Sequence, residues 1–378
     1  MVVNVNPFFV TGRIPAAYFC DRVVESKVLS QALLSQMNVV VTSPRRMGKT
    51  ALVDFVFQQE VIQKDYFTID VDILHTTCFK EFIYALGTAA YDKIASRSDK
   101  MKRLFIATLR SLSASFGYDP IQNTPTFDIK LGDITTPDYT LREIFNFMEQ
   151  ADKRCLVVID EFQKITKYPE KNIEAVLRSY IQKMSNANFV FAGSQRTVLE
   201  EMFLSSRRPF FQSAKLMQLD AIELSVYQDF VVGHFREGGK DINPEAVEVA
   251  YRSFRGVTLY MQRVMKDAYA TTPQGATCDE RLVEQLIDDF VDENDYRIRG
   301  LLTYISEPQQ EEPYHIHDEK EAQGIVSAAF TKRHRLKSPS ATQSAVQKLL
   351  EDDLLTRNGK VYSLSDPLMS LWLDKNIR

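Results

Sequence analysis

Cysteine is scarce and widely spaced in this chain. Its four copies, Cys20, Cys78, Cys155 and Cys278, form no Cys-x-x-Cys pair, so neither a zinc site nor a disulfide framework can be built from them. The five histidines are scattered and add no ligand cluster. Glycine and proline, 14 of each in 378 residues, are too few for a fibrous or disordered chain. Net charge is only −4, so the field of the whole molecule does not favour nucleic acid, and any such contact needs a local patch. No apolar run approaches the roughly 18 residues that span a bilayer. The first residues, Met1-Val2-Val3-Asn4-Val5-Asn6, lack the basic stretch and apolar core of a signal peptide. A reduced, soluble, cytoplasmic protein with no membrane contact is expected. With 44% hydrophobic residues over this length, two or three domains are expected rather than one.

The chain is organised around Asn38–Thr50. Val39, Val40 and Val41 are the β-branched run of a strand covered on both faces. Ala51-Leu52-Val53-Asp54-Phe55-Val56-Phe57 carries apolar residues at helical spacing. Between them, Ser43-Pro44-Arg45-Arg46-Met47-Gly48-Lys49-Thr50 is a phosphate-binding loop with Ser43 in place of the first glycine. The chemistry explains the residue types. Backbone N–H groups of the loop and the helix N-terminus point into one concavity suited to anions. Gly48 lets the backbone approach a phosphate without a Cβ. Lys49 sets an ammonium against the β- and γ-phosphates, and Thr50 offers a hydroxyl to Mg²⁺.

Cys155-Leu156-Val157-Val158-Ile159-Asp160-Glu161 strengthens that reading. A buried strand has no structural reason to end in two adjacent carboxylates, which repel unless solvated or paired. A nucleotide site gives both a task. Asp160 would hold the Mg²⁺ hydration shell, and Glu161 would polarise a water for attack on the γ-phosphate.

Other segments fit around these two. After a lead-in broken by Pro7 and Gly12, Tyr18-Phe19-Cys20-Asp21-Arg22 precedes a helix over 25–36. An aromatic followed by Asp-Arg can line the base side of a nucleotide pocket, which makes Arg22 a binding candidate. The same residues could equally form a packing strand with a solvated arginine. A strand is expected over 66–71, helices over 78–95, 100–116 and 140–153, and a small strand or hairpin in the turn-rich stretch 117–139. The strand 188–193 ends in Gly193-Ser194-Gln195, where Ser194 and Gln195 could contact the attacking water or the γ-phosphate. Ser194 could instead cap the helix 197–204. With a further strand over 214–219, the alternation predicts an α/β fold, a doubly wound parallel sheet.

Past residue 219 four helices follow, 225–235, 244–254, 258–269 and 279–296, with Ser225 and Asp279 as N-caps. The tail reads as a helix over 297–306, an acidic, proline-flanked break over 307–313, helices over 321–331 and 338–353, and a hairpin turning at Asn358-Gly359. Ser338-Pro339 is a helix start. The layout is that of a winged helix. The expected division is a P-loop core over 1–220, a helical lid over 221–296 and a winged-helix domain over 297–378.

Together these motifs resemble the archaeal-type ATPases, P-loop proteins of the STAND class. The likeness rests on Pro44 to Thr50, on Asp21-Arg22, and on Tyr362-Ser363-Leu364-Ser365-Asp366-Pro367-Leu368 running to Trp372-Leu373. It implies an ATP-binding switch that hydrolyses ATP to ADP and phosphate with Mg²⁺, its lid closing around the nucleotide to move the winged helix. No guanine-reading Asn-Lys-x-Asp phrase is present, and the resemblance implies ATP. Three departures stand out. Ser43 replaces a glycine, and Gly256-Val257-Thr258-Leu259-Tyr260 has threonine where the family has proline. Pro209-Phe210-Phe211-Gln212-Ser213 lacks the family's arginine, so a finger-like role would fall to Arg207, Arg208 or another subunit. Two other readings stay open. The winged helix could bind DNA through Ser340, Thr342, Gln343, Gln347 and Lys348, with Lys332, Arg333, Arg335 and Lys337 before them. Its Glu351-Asp352-Asp353 end favours contact with a protein partner, for which a non-hydrolysing nucleotide-binding scaffold would suffice. Signal, partner and oligomeric state are not written in the sequence.

Overall fold

The computed structural model describes residues 5–20, 22–119, 124–127, 130–304, 307–319 and 322–376. These form two compact units, one of Arg22–Asp220 and one of the lead-in with the chain from Ala221 onward. Among the described residues no helix is long and apolar enough to cross a membrane.

The first unit is built on five parallel strands: β1 Val39–Thr42, β2 Tyr66–Asp72, β3 Arg154–Asp160, β4 Ala187–Gly193 and β5 Lys215–Gln218. Their spatial order is β2-β3-β4-β1-β5. Helices cover both faces of such a sheet, so its inner strands read as solid apolar runs. β1 and β4 are buried throughout, whereas β2, at the edge, alternates over its last residues. In register, Thr42 stands beside Gly193 and Gln218, and Asp72 beside Asp160. The carboxyl ends of β1, β3 and β4 therefore lie along one edge, where doubly wound sheets bind their ligands.

One local departure from the sequence reading has a visible cause. The helix expected over 100–116 stops at Thr108 and continues as a 3₁₀ turn, Arg110–Ser115. Glu143, buried on the helix Pro137–Glu149, accepts the backbone N–H groups of Arg110 and Ser111 and so fixes that turn. The inserted hairpin is present as Phe116–Asp119 paired with Thr124–Phe127; residues 128 and 129, part of the alternating phrase, lie outside the described ones.

Beneath the strand ends sits an aromatic cluster. The Phe162 ring lies 4.6 Å from Phe191 and 5.3 Å from Phe210, and Phe191 lies 5.1 Å from Phe203. Phe162 opens the 3₁₀ helix Phe162–Lys167, so this cluster pins the segment that follows the two carboxylates. Phe162→Ala is expected to cost about 3–5 kcal/mol, the usual range for emptying a buried phenylalanine site. Denaturant unfolding measures it, and a loss under about 1 kcal/mol would mean the cluster closes over the gap.

In the second unit, helices Leu224–Glu237, Pro244–Ser253, Thr258–Thr271 and Glu280–Glu293 share a core with the winged-helix elements. The lead-in, which the sequence groups with the P-loop core, packs here: Phe8 lies among Phe230, Phe235 and Tyr269. Asp279 caps its helix by accepting the N–H of Leu282. Ser225 does not cap; the helix begins one residue earlier, with Glu223 at the cap position.

The tail departs from expectation twice. Residues 307–313 form no break, because Glu307–Asp318 is a helix. Pro308 falls in its first turn, where a missing N–H is harmless, and buried Ile316 anchors the turn beyond Pro313. The helix expected over 321–331 is only Ala328–Arg333, capped by Ser327. Gly324, at φ 61°, interrupts the chain before it. Ala322 and Gln323 pair with Tyr362 and Val361, which makes the wing a three-stranded sheet with Leu355–Asn358 and Val361–Leu364. Ser338 caps Pro339–Glu351 as expected, accepting from Ala341 N–H.

Candidate functional site

The loop after β1 departs from the sheet at Ser43. This residue is fully buried, and its hydroxyl donates to the Pro44 carbonyl at 3.0 Å. Ser43 is not among the residues with positive φ, so the missing glycine removes no conformation that the loop uses. The left-handed positions fall later, at Arg46 (φ 67°) and Gly48 (φ 86°). A Cβ placed on Gly48 would meet no heavy atom within 4 Å, so the glycine is needed for its backbone angle and for what approaches it. Pro44 and Arg45 are exposed, while Met47 is buried.

Lys49 opens the helix Lys49–Phe57, whose N-terminal N–H groups have no side-chain cap. Those donors, with the positive end of the helix dipole, make an anion site. The Lys49 side chain is 9% exposed, and its Nζ stands 3.5 Å from Asp160 Oδ1 and 3.8 Å from Glu161 Oε1. Thr50 Oγ1 donates to Asp160 Oδ2 at 3.1 Å. Residues far apart in sequence are thus gathered by the end of β3 and the start of the helix that follows β1, two strands separated by β4.

Glu161 sits in the left-handed region at φ 56°, and its N–H is satisfied by Asp160 Oδ1 at 3.0 Å. Non-glycine residues in that region store strain and gather at functional sites. Its Oε2 accepts from Ser194 Oγ at 3.0 Å and from Gln163 Nε2 at 2.5 Å. Ser194 does not cap the following helix; its hydroxyl is given to the Glu161 carboxylate. The helix Arg196–Leu204 begins with half-buried Gln195 at the cap position. Arg45 Nε reaches Ser194 Oγ at 3.5 Å.

Arg22 is buried, with φ 60°. Its guanidinium donates to the Met47 carbonyl at 3.3 Å and to Glu25 Oε1 at 2.8 Å, so it braces the back of the loop. Asp21 lies outside the described residues. Arg208 is committed to Glu174 at 2.6 Å, whose carboxyl is held above the usual range by burial; Arg207 is exposed. Ser213, which stands where the resembled family has its arginine, donates its hydroxyl to the Phe210 carbonyl at 2.7 Å, and Phe210 fills the aromatic cluster.

The sequence reading missed Gln163. Its only signal was its place two residues beyond the carboxylate pair, between Phe162 and Lys164. On the winged helix, Ser340, Gln343, Gln347 and Lys348 are exposed on one face of Pro339–Glu351, but Thr342 is buried. Thr342 therefore packs in the core and cannot reach a groove, a correction to the expected set.

Comparisons with known proteins agree with this architecture. Residues 296–375 match a family model described as a probable winged helix domain. No curated protein sequence matches the chain. Among solved structures, the Walker-type ATPase of Pyrococcus abyssi superposes with a TM-score of 0.68 at 14% identity, covering 97% of this chain and 99% of that one. The Aeropyrum pernix ORC2 protein, solved in ADPNP and ADP complexes, gives 0.58 at 12% identity, with 98% of each chain covered. The ORC1 protein of the same organism, solved with DNA, gives 0.51 at 11% identity over 95% of this chain and 93% of that one.

Proposed function

We propose that this chain, whose fold is that of the P-loop ATPases with a C-terminal winged helix, binds ATP with Mg²⁺ and hydrolyses it slowly as a conformational switch. One observation carries the reading: Lys49, Thr50, Asp160 and Glu161 converge within 4 Å at the strand ends. An ammonium so enclosed, with uncapped amides beside it, suits a polyphosphate. Thr50 and Asp160 fit Mg²⁺, which is held by few protein oxygens together with substrate phosphates. When bound, that ion supplies Lewis-acid neutralisation of phosphate oxygens.

The protein's own groups supply the rest. The N–H groups of Ser43 and of Arg45 to Gly48, with the Lys49 ammonium, bind the β- and γ-phosphates, while Pro44, which has no N–H, shapes the loop. Glu161 takes a proton from the water that displaces ADP from the γ-phosphorus, and Ser194 orients that carboxylate. The arginine that speeds such hydrolysis has two sources here, Arg45 in the same chain and exposed Arg207 from a second copy. Nucleotide moves the chain between states only through differential affinity for them, and γ-phosphate contacts at Ser194 and Glu161 are where ATP and ADP differ. The test is steady-state turnover of purified protein with Mg²⁺-ATP, expected to vanish on chelation. Bound ATP without turnover would favour the scaffold reading.

A second reading has its own support. Gln343, Gln347 and Lys348 face outward on Pro339–Glu351, Arg357 and Lys360 are exposed on the wing, and the similar ORC1 was solved with DNA. Against it, Arg333 is paired with Glu319 at 2.6 Å. If DNA binds there, Lys348→Ala with Lys360→Ala lowers the salt slope of log K by about 1 per lost phosphate contact. Fluorescence anisotropy across salt concentrations measures this. No binding at low salt retires the reading and leaves a protein partner.

A further inference from the structure

We propose that Gln163 is a positioning residue for Glu161: its amide anchors one carboxylate oxygen so that the other faces Lys49 and receives the proton of the attacking water. This rests on the reading of Glu161 as the base. The two oxygens are used differently. Oε2 is tied to Gln163 Nε2 at 2.5 Å and to Ser194 Oγ at 3.0 Å, while Oε1 points to the Lys49 ammonium at 3.8 Å. An ionised carboxylate only accepts, so the amide presents its NH₂ end to it.

The surroundings show that this amide is not there for stability. Gln163 is 3% exposed, and its Oε1 is buried without a hydrogen-bond partner among the described residues. An unpaired buried acceptor is costly, and an apolar side chain of the same shape would avoid that cost. Gly193 at the end of β4 also yields to it, since a Cβ there would stand 2.0 Å from Gln163 Oε1. With Glu161 itself in left-handed backbone, the carboxylate is fixed from the main chain, from the 3₁₀ helix and from the end of β4.

The test uses the full-length protein carrying Gln163→Met, which keeps volume and removes the donor, and Gln163→Glu, which sets a like charge beside Glu161. Turnover and affinity for a fluorescent ATP analogue are measured. Gln163→Met should lower kcat by about 10- to 10²-fold, as a misplaced catalytic group does, with ATP affinity within about twofold. In a Glu161→Gln background it should add nothing further. Gln163→Glu keeps the shape and replaces the donor by a repelling carboxylate, so it should lower kcat at least as far, again with ATP affinity within about twofold, and it is the arm read if the Met variant folds poorly. An unchanged kcat in Gln163→Met where Glu161→Gln has lost turnover overturns the positioning role alone. Equal losses of kcat and ATP affinity also overturn it, because they mark a structural effect. Turnover surviving in Glu161→Gln overturns the assignment of the base, and the positioning role with it.

Discussion

Glu161→Gln lowers Mg²⁺-ATP turnover by about 10²-fold or more and leaves ATP affinity within about twofold, because the change removes a proton acceptor and little else. The amide is nearly isosteric with the carboxylate, and its oxygen can still accept from Ser194 Oγ and Gln163 Nε2, the two donors on Oε2. What it cannot do is take a proton from water. Losing one negative charge beside Lys49 also removes a competitor for the ammonium, so binding should hold or tighten. Single-turnover kinetics separate this from slow product release. A variant that hydrolyses ATP at the native rate would falsify Glu161 as the base and return the choice to Asp160 or to a residue from another subunit.

The sheet was legible in the sequence because each inner strand is a solid apolar run, and such runs admit one reading when helical segments alternate with them. Lys49, Thr50 and Asp160 were legible for a related reason. Their placement at a strand tip and a helix start follows from the elements that flank them, and the fold brings Thr50 within 3.1 Å of Asp160. Gln163 was not legible, since a buried amide leaves no periodic signature and its meaning lies in the partner at its tip. The tail was misread where proline and local helical periodicity were weighed without tertiary context. Pro308 is tolerated in a first turn, and Ala322-Gln323 has a wing strand to pair with. Two phrases read separately prove to be partners: Tyr260 donates to Asp366 at 2.8 Å, and Gly256 stands where a Cβ would be 2.6 Å from Ala221 Cβ. The first of these contacts joins residues 106 positions apart, and one-dimensional patterns carry no trace of it.

Lys49→Ala removes most of the stabilisation that ATP confers. In the native protein the buried ammonium faces both Asp160 and Glu161, and a bound polyphosphate would take over that charge. Its removal acts twice. Charge-assisted hydrogen bonds worth about 1.5–3 kcal/mol each are lost. The carboxylates then confront an anionic ligand with no cation between them, which adds repulsion in a site screened from solvent. Together these weaken ATP by at least about 10²-fold. Thermal unfolding converts that into a readable number. A ligand at 100 times its dissociation constant stabilises by about 2.7 kcal/mol, whereas the same concentration against a 10²-fold weaker site gives about 0.4 kcal/mol. For a unit of this size the first figure is a rise in Tm on the order of 5–10 °C and the second is near 1 °C. Magnesium must be present in both arms, since Thr50 and Asp160 remain in the variant and could still gather the ion. An ATP-dependent shift in Lys49→Ala as large as in the native protein would mean that the nucleotide binds elsewhere and that the loop after β1 is a structural turn.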